Sequence, residues 1–336
     1  MGTTELKKPR LVKSFAMPVD VAVFSGIPSV TALRHLPIAN VLLAAAMDRR
    51  VVCCDLSAEP PPVDGKKKDA VPAIVGKHLG WSHDNWIHSL DVHPDGERVA
   101  TGGADRAIKL WRWGTDQPLA TFAGHEEWVR VLAFSPNGKL LASAGDDRLI
   151  KLWDIETAKV VASFNPQSSF LDTLAWSPDS TTLHVGGNDG KVYSWNVEEN
   201  KQLRATDIGN RRDIEDEPLN GGFSYPGGIR GMTCSPDGKL LAAVGLTSLN
   251  VLNVADGKEL LKRGGRGFGV AFHPSNRWLA FSREKDIAIW DFREKKECQQ
   301  IKVNQLGLLD ILFLEKGDKL VAGGCNGKVG IWNLVG

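Results

Sequence analysis

Short runs of alternating apolar and polar residues recur along this chain and are separated by turns. In one unit, residues 129–134 and residues 149–153 are two such runs, each dominated by apolar positions. The alternation has the period of two that half-buried β-strands require. Between the runs, the Ser-Pro-Asn-Gly of residues 135–138 suits a tight reversal, and residues 145–148 suit a second hairpin. The pattern predicts an all-β protein built from short antiparallel strands.

The unit repeats with a period of 42 residues. Its markers are found in two successive copies as His83, Trp86, Thr101, Asp105 and Trp111, and then as His125, Trp128, Ser143, Asp147 and Trp153. A further step of 42 reaches Phe170, Asp189 and Trp195, with Gln167 where the His stood. A self-similar period of about 40–45 residues, with Gly-His near the start and Trp-Asp near the end, is typical of a four-stranded β-propeller blade. The chain therefore resembles the WD-repeat family over nearly all of its length.

Degenerate copies raise the number of predicted blades to seven. The copies cover residues 30–55, 232–253, 268–291 and 308–333. In the first copy Asp48 lies in the turn and Cys54 takes the place of Trp. In the second copy Thr247 and Asn253 take the places of Asp and Trp, and in the last copy Asn326 takes the place of Asp. We expect one all-β domain over residues 1–336, a seven-bladed WD-repeat β-propeller of four-stranded antiparallel blades. The blade cores are expected at about residues 30–79, 86–122, 128–164, 170–206, 228–263, 266–303 and 307–334.

The last copy has no room for a fourth strand, because the chain stops at Gly336 shortly after Trp332. Residues 9–25 contain two strand-like runs, 11–16 and 19–24. One of them is predicted to complete the last blade and close the ring, which would leave no long unpaired edge. The sequence does not decide between the two runs.

The resemblance implies a structural role for the recurring polar residues. In WD-repeat proteins, the His before the first strand of a blade, the Ser or Thr of the second, the Asp of the next turn and the Trp of the third form one hydrogen-bond network. Two complete tetrads match this pattern: His83, Thr101, Asp105 and Trp111, and His125, Ser143, Asp147 and Trp153. We interpret them as fasteners of the fold, since a Ser, His and Asp repeated in successive copies are not needed for one active site.

Composition favours an ordinary globular chain. The apolar fraction is 42% and the net charge is +1, without the basic excess of a nucleic-acid module, so nucleic acid is not an expected partner. No run of about 18 apolar residues is present, so no membrane span is predicted. Residues 1–10 lack the pattern of a secretory signal. A cytoplasmic location is expected by default.

No metal, cofactor or catalytic site is predicted. The histidines 78, 83, 88 and 93 are spaced by five, but blade geometry assigns them to different levels of the ring. The cysteines Cys53, Cys54, Cys234, Cys298 and Cys325 contain no Cys-x-x-Cys pair and are interpreted as reduced.

Two insertions interrupt the period. Residues 57–70 contain three prolines and the run Lys66-Lys67-Lys68, and they read as a solvated loop. Residues 207–224 lengthen the connection into the fifth blade on the top face. This second loop is either functional or merely tolerated, because lengthening a surface loop costs little free energy.

The start of each first strand carries the candidate binding residues. In the WD-repeat family these positions form the rim at the top of the central channel, where partner peptides and domains dock. The candidates are Trp86, His88, Trp128, Arg130, Phe170, Asp172, Arg230 and Phe268. Aromatic and Arg side chains at a rim suit a binding hot spot. Alternatively, Trp86, Trp128 and Phe170 pack against the loops that precede them.

The leading functional hypothesis is a monomeric, non-enzymatic scaffold that binds a protein or peptide on the top face. A small-ligand or enzymatic propeller that uses the central channel is one alternative, and it would need convergent polar or metal ligands from several blades. A second alternative is a reader of methylated lysine, with Trp86, Trp128 and Phe170 as an aromatic cage.

Overall fold

The protein was analysed as a computed structural model. It describes residues 10–16, 30–46, 49–59, 73–166, 170–209, 228–283, 286–303, 308–314, 316–324 and 327–334. In these ranges the chain forms β-strands and one short 3-10 helix, Pro37–Ala39. The strands assemble into seven sheets arranged as the blades of a ring. The prediction of an all-β, seven-bladed propeller is confirmed.

The strands follow the chain from blade to blade. An N-terminal strand, β1 (Arg10–Ala16), comes first. Blade 1 then contributes β2 (Val30–Leu36), β3 (Val41–Ala46), β4 (Arg50–Asp55) and, after the short β5 (Ala73–Val75), β6 (Lys77–Ser82). Blade 2 has β7 (Ile87–Val92), β8 (Arg98–Gly103), β9 (Ile108–Arg112) and β10 (Ala120–Phe122). Blade 3 has β11 (Val129–Phe134), β12 (Leu140–Gly145), β13 (Ile150–Asp154) and β14 (Lys159–Phe164).

The remaining blades have the same order from the innermost to the outermost strand. Blade 4 has β15 (Leu171–Trp176), β16 (Thr182–Gly187), β17 (Lys191–Asn196) and β18 (Lys201–Asp207). Blade 5 has β19 (Ile229–Cys234), β20 (Leu240–Gly245), β21 (Ser248–Asn253) and β22 (Glu259–Gly264). Blade 6 has β23 (Val270–Phe272), β24 (Trp278–Ser282), β25 (Asp286–Asp291) and β26 (Lys296–Lys302). Blade 7 has β27 (Leu308–Phe313), β28 (Lys319–Gly324) and β29 (Lys328–Asn333).

The fourth strand of blade 7 comes from the N-terminus. Strand β1 pairs antiparallel with β29, and Phe15 lies opposite Val329. The run 11–16 therefore occupies the fourth position, whereas the run 19–24 lies outside the described residues. Strand β5 pairs in parallel with the far edge of β1, where Ser14 faces Ala73. The sequence analysis missed β5, because three residues after a loop insertion show no alternating pattern.

The core is divided among the seven blade interfaces. Seven clusters of buried apolar residues lie one between each pair of neighbouring blades. Between blades 2 and 3, for example, Phe122 and Leu132 pack with Trp153. In blade 1, Cys54 replaces the Trp as predicted and packs against Val329 of blade 7. Burial at this position raises the pKa of the Cys54 thiol to about 12.

One residue assignment in blade 5 was wrong. Leu252 lies opposite Leu241 in the same way that Trp153 lies opposite Leu141, so Leu252 and not Asn253 takes the Trp position. The turn between β20 and β21 is shorter than the corresponding turn of blade 3, which shifts the third strand by one residue. The predicted positions Asp48, Gln167 and Asn326 lie outside the described residues, as do Cys325 and the run Lys66 to Lys68.

Candidate functional site

Each complete tetrad is a hydrogen-bond network that joins one blade to the loop leading into it. In blade 3, His125 contacts Asp147 through Nδ1 at 2.7 Å and Ser143 through Nε2 at 2.6 Å. The indole Nε1 of Trp153 donates to the same Ser143 hydroxyl at 2.8 Å. Asp147 also accepts from the backbone amide of Leu149 at 3.1 Å. Each polar side chain of this buried tetrad therefore has a hydrogen-bond partner, as a stable protein interior requires.

The tetrad of blade 2 has the same geometry. Nδ1 of His83 lies 2.8 Å from an Asp105 carboxylate oxygen, and Nε2 lies 2.7 Å from the Thr101 hydroxyl. Trp111 donates to that hydroxyl at 2.7 Å. The hydrogen bonds of the two tetrads join the same four positions. In neither tetrad is the Ser or Thr oxygen free to attack a substrate.

The third copy of the network is interrupted. In blade 4, Val185 stands where blade 3 has Ser143, and the buried Nε1 of Trp195 has no hydrogen-bond partner among the described residues. Phe164 stacks on the Trp195 ring with 4.6 Å between ring centroids. The neighbouring His184 instead bonds Ser194 at 2.8 Å. The complete copy has the equivalent aromatic contact, Phe122 edge-on to Trp153 at 5.7 Å, so blade 4 keeps the aromatic pair and lacks part of the polar network.

The tetrad carboxylates are held ionised by their partners. Burial by itself would raise the pKa of Asp147, but the contact with His125 and the bonds from nearby backbone amides lower it below its ordinary value. The same balance, with His83 as the main partner, lowers the pKa of Asp105. Both carboxylates therefore act as hydrogen-bond acceptors and are unsuited to donate a proton near neutral pH.

A β-bulge gives the rim residues their direction. In β11, Val129 and Val131 pair with Gly145 and Ala144, so Arg130 between them is the extra residue of a bulge. Close approach of the strands here requires a glycine, since a Cβ on Gly145 would lie 2.0 Å from the Trp128 carbonyl oxygen. The first strands of the other blades with a described bulge show the same shift, and the extra residue is Thr31, His88, Asp172, Arg230 or Leu309. Bulges commonly re-aim a side chain in this way.

Three aromatic side chains form a cluster at the top of blades 2 and 3. The rings of Trp86 and Trp128 are nearly perpendicular, at 71°, with centroids 6.3 Å apart. His88 stacks on Trp128 at 5.6 Å. All three side chains are half-buried. Burial, assisted by the charge of Arg130, lowers the pKa of His88 to about 4, so the imidazole is neutral. We call Trp86, His88 and Trp128 the rim cluster.

The charged rim residues are paired with one another. Arg130 donates to both carboxylate oxygens of Asp146, at 2.8 and 2.7 Å, and its guanidinium carbon lies 4.8 Å from the Trp128 ring centroid. Arg230 donates to Asp172 across the boundary between blades 4 and 5 at 2.7 Å. Burial raises the pKa of Asp172, with Arg230 and Arg130 opposing the shift. The rim therefore presents aromatic surfaces rather than free charges.

The other two candidates lie apart from the rim cluster. Phe170 is half-buried at the start of blade 4, where its carbonyl accepts from the Asn188 amide at 3.0 Å. Phe268 is half-buried at the start of blade 6, and the Arg266 guanidinium carbon lies 5.7 Å from its ring centroid. Trp86 and Trp128 lie against each other across two blades.

Several polar contacts around the channel were not anticipated. Asp146, the partner of Arg130, directly precedes the tetrad residue Asp147. The repeat pattern predicted a role for Asp147 but none for Asp146. Lower in the channel, Arg34 of blade 1 bonds Asp91 of blade 2 and Asp310 of blade 7. Aligning the first strands of all seven blades would have placed these three side chains around one channel.

The described residues contain no group of three or more His, Cys, Asp or Glu side chains placed to hold a metal ion. His83 contacts Asp105, whereas His93 contacts the Gly138 carbonyl at 2.8 Å, so the evenly spaced histidines have separate partners. The cysteines Cys53, Cys54, Cys234 and Cys298 are free thiols. No helix in the described part of the chain is long and apolar enough to cross a bilayer.

Comparison with known proteins supports the repeat assignment. The family model "WD domain, G-beta repeat" matches residues 77–112, 116–154 and 158–196. The chain is 28% identical over 122 residues to the small ribosomal subunit protein RACK1y of Oryza sativa, which covers 33% of this chain and 36% of that protein. It is 34% identical over 58 residues to the nuclear distribution protein PAC1 of Debaryomyces hansenii, 16% of this chain and 11% of that one. The chain thus spans about a third or less of the curated relatives that it matches.

Proposed function

We propose that this chain, a seven-bladed WD-repeat propeller, is a non-enzymatic scaffold that binds a protein or peptide on its top face. The rim cluster of Trp86, His88 and Trp128 is the observation that carries the proposal. Half-buried aromatic rings that surround a channel mouth offer a large contact area at a low cost in side-chain entropy. Trp86 and Trp128 are equivalent positions of successive blades, and Phe170 takes this position in blade 4.

Aromatic contact rather than ion pairing should dominate recognition at this rim. Arg130 and Arg230 already have carboxylate partners, and a docking partner would have to break those pairs before it used either charge. The same contacts argue against a methyl-lysine cage, because the Arg130 guanidinium already supplies a cation beside Trp128. We therefore expect a partner that buries an apolar or aromatic side chain against Trp86 and Trp128.

An enzymatic role is not part of the proposal. The tetrad hydroxyls of Thr101 and Ser143 are each engaged by a His and a Trp, so they serve as buried acceptors. The relatives include proteins named as ribosomal small-subunit components, and on that likeness we extend the proposal to a cytoplasmic protein. We further propose that the chain is monomeric. Size-exclusion chromatography with light scattering checks the oligomeric state, and imaging of a tagged chain checks the location.

The proposal is tested by partner capture with matched tryptophan variants. Trp128→Ala removes the centre of the rim cluster, whereas Trp113→Ala removes a half-buried Trp at the bottom end of blade 2. Tagged wild-type and variant chains are used for affinity capture with quantitative mass spectrometry, after melting curves show that each is folded. Proteins that wild type and Trp113→Ala retain, and that Trp128→Ala loses at least about 10-fold, are top-face partners. Equal recovery by all three folded chains would refute docking at the rim cluster.

A further inference from the structure

The bottom end of the central channel contains a cavity of about 370 Å³. Its mouth is formed by Pro136, Pro178 and Pro236, which lie in the turns after the first strands of blades 3, 4 and 5. Trp176 and Met232 line its wall. Arg34 of blade 1 lines the same cavity from across the channel. The cavity is separated from the rim cluster by the length of the inner strands.

Short side chains of two neighbouring blades face Arg34 across the cavity. Strand register defines one equivalent residue in each first strand, and from blade 1 to blade 7 these residues are Arg34, Asp91, Ala133, Ala175, Thr233, Ala271 and Leu312. Three of the seven, Arg34, Ala175 and Thr233, line the cavity. The long side chain of Arg34 therefore faces a space that Ala175 and Thr233 leave open.

Arg34 has hydrogen-bond donors that face this space and have no acceptor among the described residues. Its Nε donates to Asp91 at 2.7 Å, and its Nη1 donates to the Leu33 carbonyl at 2.7 Å and to Asp310 at 3.1 Å. Its Nη2 makes no hydrogen bond to any described residue. The side chain is enclosed by the ring but remains 35% exposed, because the channel beside it is open. A guanidinium nitrogen with two free hydrogens favours an acceptor in the cavity.

The charge of the surrounding groups decides what kind of acceptor fits. Asp91 and Asp310 together outweigh Arg34 and give a net charge of −1 when all three are ionised. Burial raises the pKa of Asp310, with Arg34 opposing the shift. A carboxylate or phosphate entering the cavity would meet no excess positive charge. A neutral carbonyl oxygen can accept from Nη2 without that repulsion.

We propose that this cavity binds an apolar peptide segment of a partner protein, with one backbone carbonyl accepting a hydrogen bond from Nη2 of Arg34. The proline turns, Trp176 and Met232 supply the apolar surface for the accompanying side chain. The site lies on the bottom face and does not depend on docking at the rim cluster. It gives the propeller a second binding surface of different chemistry.

The test uses small capped amino acids and the full chain. N-acetyl-L-leucine N-methylamide carries an apolar side chain and neutral carbonyls, and N-acetyl-L-leucine carries a carboxylate instead of the second amide. Saturation-transfer NMR titrations should give saturable binding of the methylamide, with a Kd on the order of 1 mM. The carboxylate should bind at least about 10-fold more weakly. Absence of saturable methylamide binding, or equal or tighter binding of the carboxylate, would overturn the proposal.

Variants locate the bound compound. Thr233→Trp fills the cavity and should abolish methylamide binding, whereas Thr121→Trp adds the same side chain on an exposed outer strand and should not. Ala175→Leu is a milder filling variant, for use if the first does not fold. Arg34→Lys keeps the charge but lacks Nη2, and it should weaken methylamide binding about 10-fold in a chain shown by its melting curve to be folded. Binding unchanged in the folded filling variants would place the compound elsewhere.

Discussion

His125 and Trp128 are separated by two residues in the chain, yet they belong to two different regions of blade 3. His125 is fully enclosed and bonds Asp147 and Ser143 within a network that recurs in blade 2. Trp128 is half-buried at the channel mouth and packs against His88 and Trp86. The first region satisfies buried polar groups, and the second leaves aromatic surface within reach of solvent. Trp86 and Trp128 recur at the same 42-residue step as the tetrads, so burial and not recurrence separates the two regions: the enclosed tetrad residues hold the blade, and the half-buried aromatic residues are the ones we propose for recognition.

Blade 4 sharpens this comparison. It lacks the hydroxyl of Ser143 and leaves the Trp195 indole without a hydrogen-bond partner in the described part of the chain, but it keeps the same four-stranded sheet. The contact of Phe164 with Trp195 is kept and corresponds to that of Phe122 with Trp153. The tetrad thus adds stability to a blade without being necessary for the blade to form.

The largest effect is expected from breaking a complete tetrad. Asp147→Ala leaves the ring nitrogen of His125 and nearby amides without their acceptor, which should lower the free energy of unfolding by about 1–3 kcal/mol. Asp189→Ala in blade 4 removes the acceptor of the Tyr193 hydroxyl and of the Lys191 amide, and it should cost less because no His contact of Asp189 is described there. Urea denaturation followed by tryptophan fluorescence measures both. Equal losses would show that the tetrad does not act as a unit.

A smaller effect is expected from replacing the tryptophans themselves. Trp153→Phe loses both ring area and the hydrogen bond to Ser143, whereas Trp195→Phe loses similar ring area and no hydrogen bond to a described residue. The first variant should therefore be less stable than the second by about 1 kcal/mol. Chemical denaturation of the two variants side by side checks the difference. A greater loss in Trp195→Phe would contradict the assigned networks.

The smallest effect is expected in the pH dependence of stability. The pKa of Asp147 is lowered in the folded state, so its contribution is complete above the unfolded pKa of about 4 and is lost as the pH falls through the folded value. Asp147→Asn removes this titration. Below about pH 4, its free energy of unfolding should decline less steeply than that of wild type. Parallel slopes in denaturation series from pH 6 to pH 3 would mean that the carboxylate is not preferentially ionised in the folded chain.

The fold could be predicted because each blade repeats local information. The 42-residue step located the tetrads and the strands of blades 2 to 4, and the strand-like run 11–16 was recognised before its pairing with β29 was seen. The parallel pairing of β5 with β1 could not be predicted, since it joins segments about 60 residues apart through three backbone positions. The shift to Leu252 was also missed, because it depends on the length of one turn.

The candidate site could be predicted only in part. Comparing equivalent positions located the rim residues, but it did not show that Arg130 and Arg230 are committed to Asp146 and Asp172. Such pairs depend on distances across blades and on the bulges that turn each side chain toward the channel. The cavity near Arg34 was missed for the same reason, since an alanine in one strand gives no signal until the seven strands are arranged in a ring.

The central claim, that the tetrad maintains the ring and the rim cluster binds the partner, is tested most directly by comparing Asp147→Ala with Trp128→Ala in two measurements. For each folded variant, the free energy of unfolding and the Kd for a captured top-face partner are measured under the same conditions. We predict that Asp147→Ala loses about 1–3 kcal/mol of stability and keeps its Kd within about 3-fold, whereas Trp128→Ala weakens binding at least about 10-fold with the smaller loss of stability. The reverse pattern, or proportional losses in both measurements for both variants, would contradict the division between the two regions.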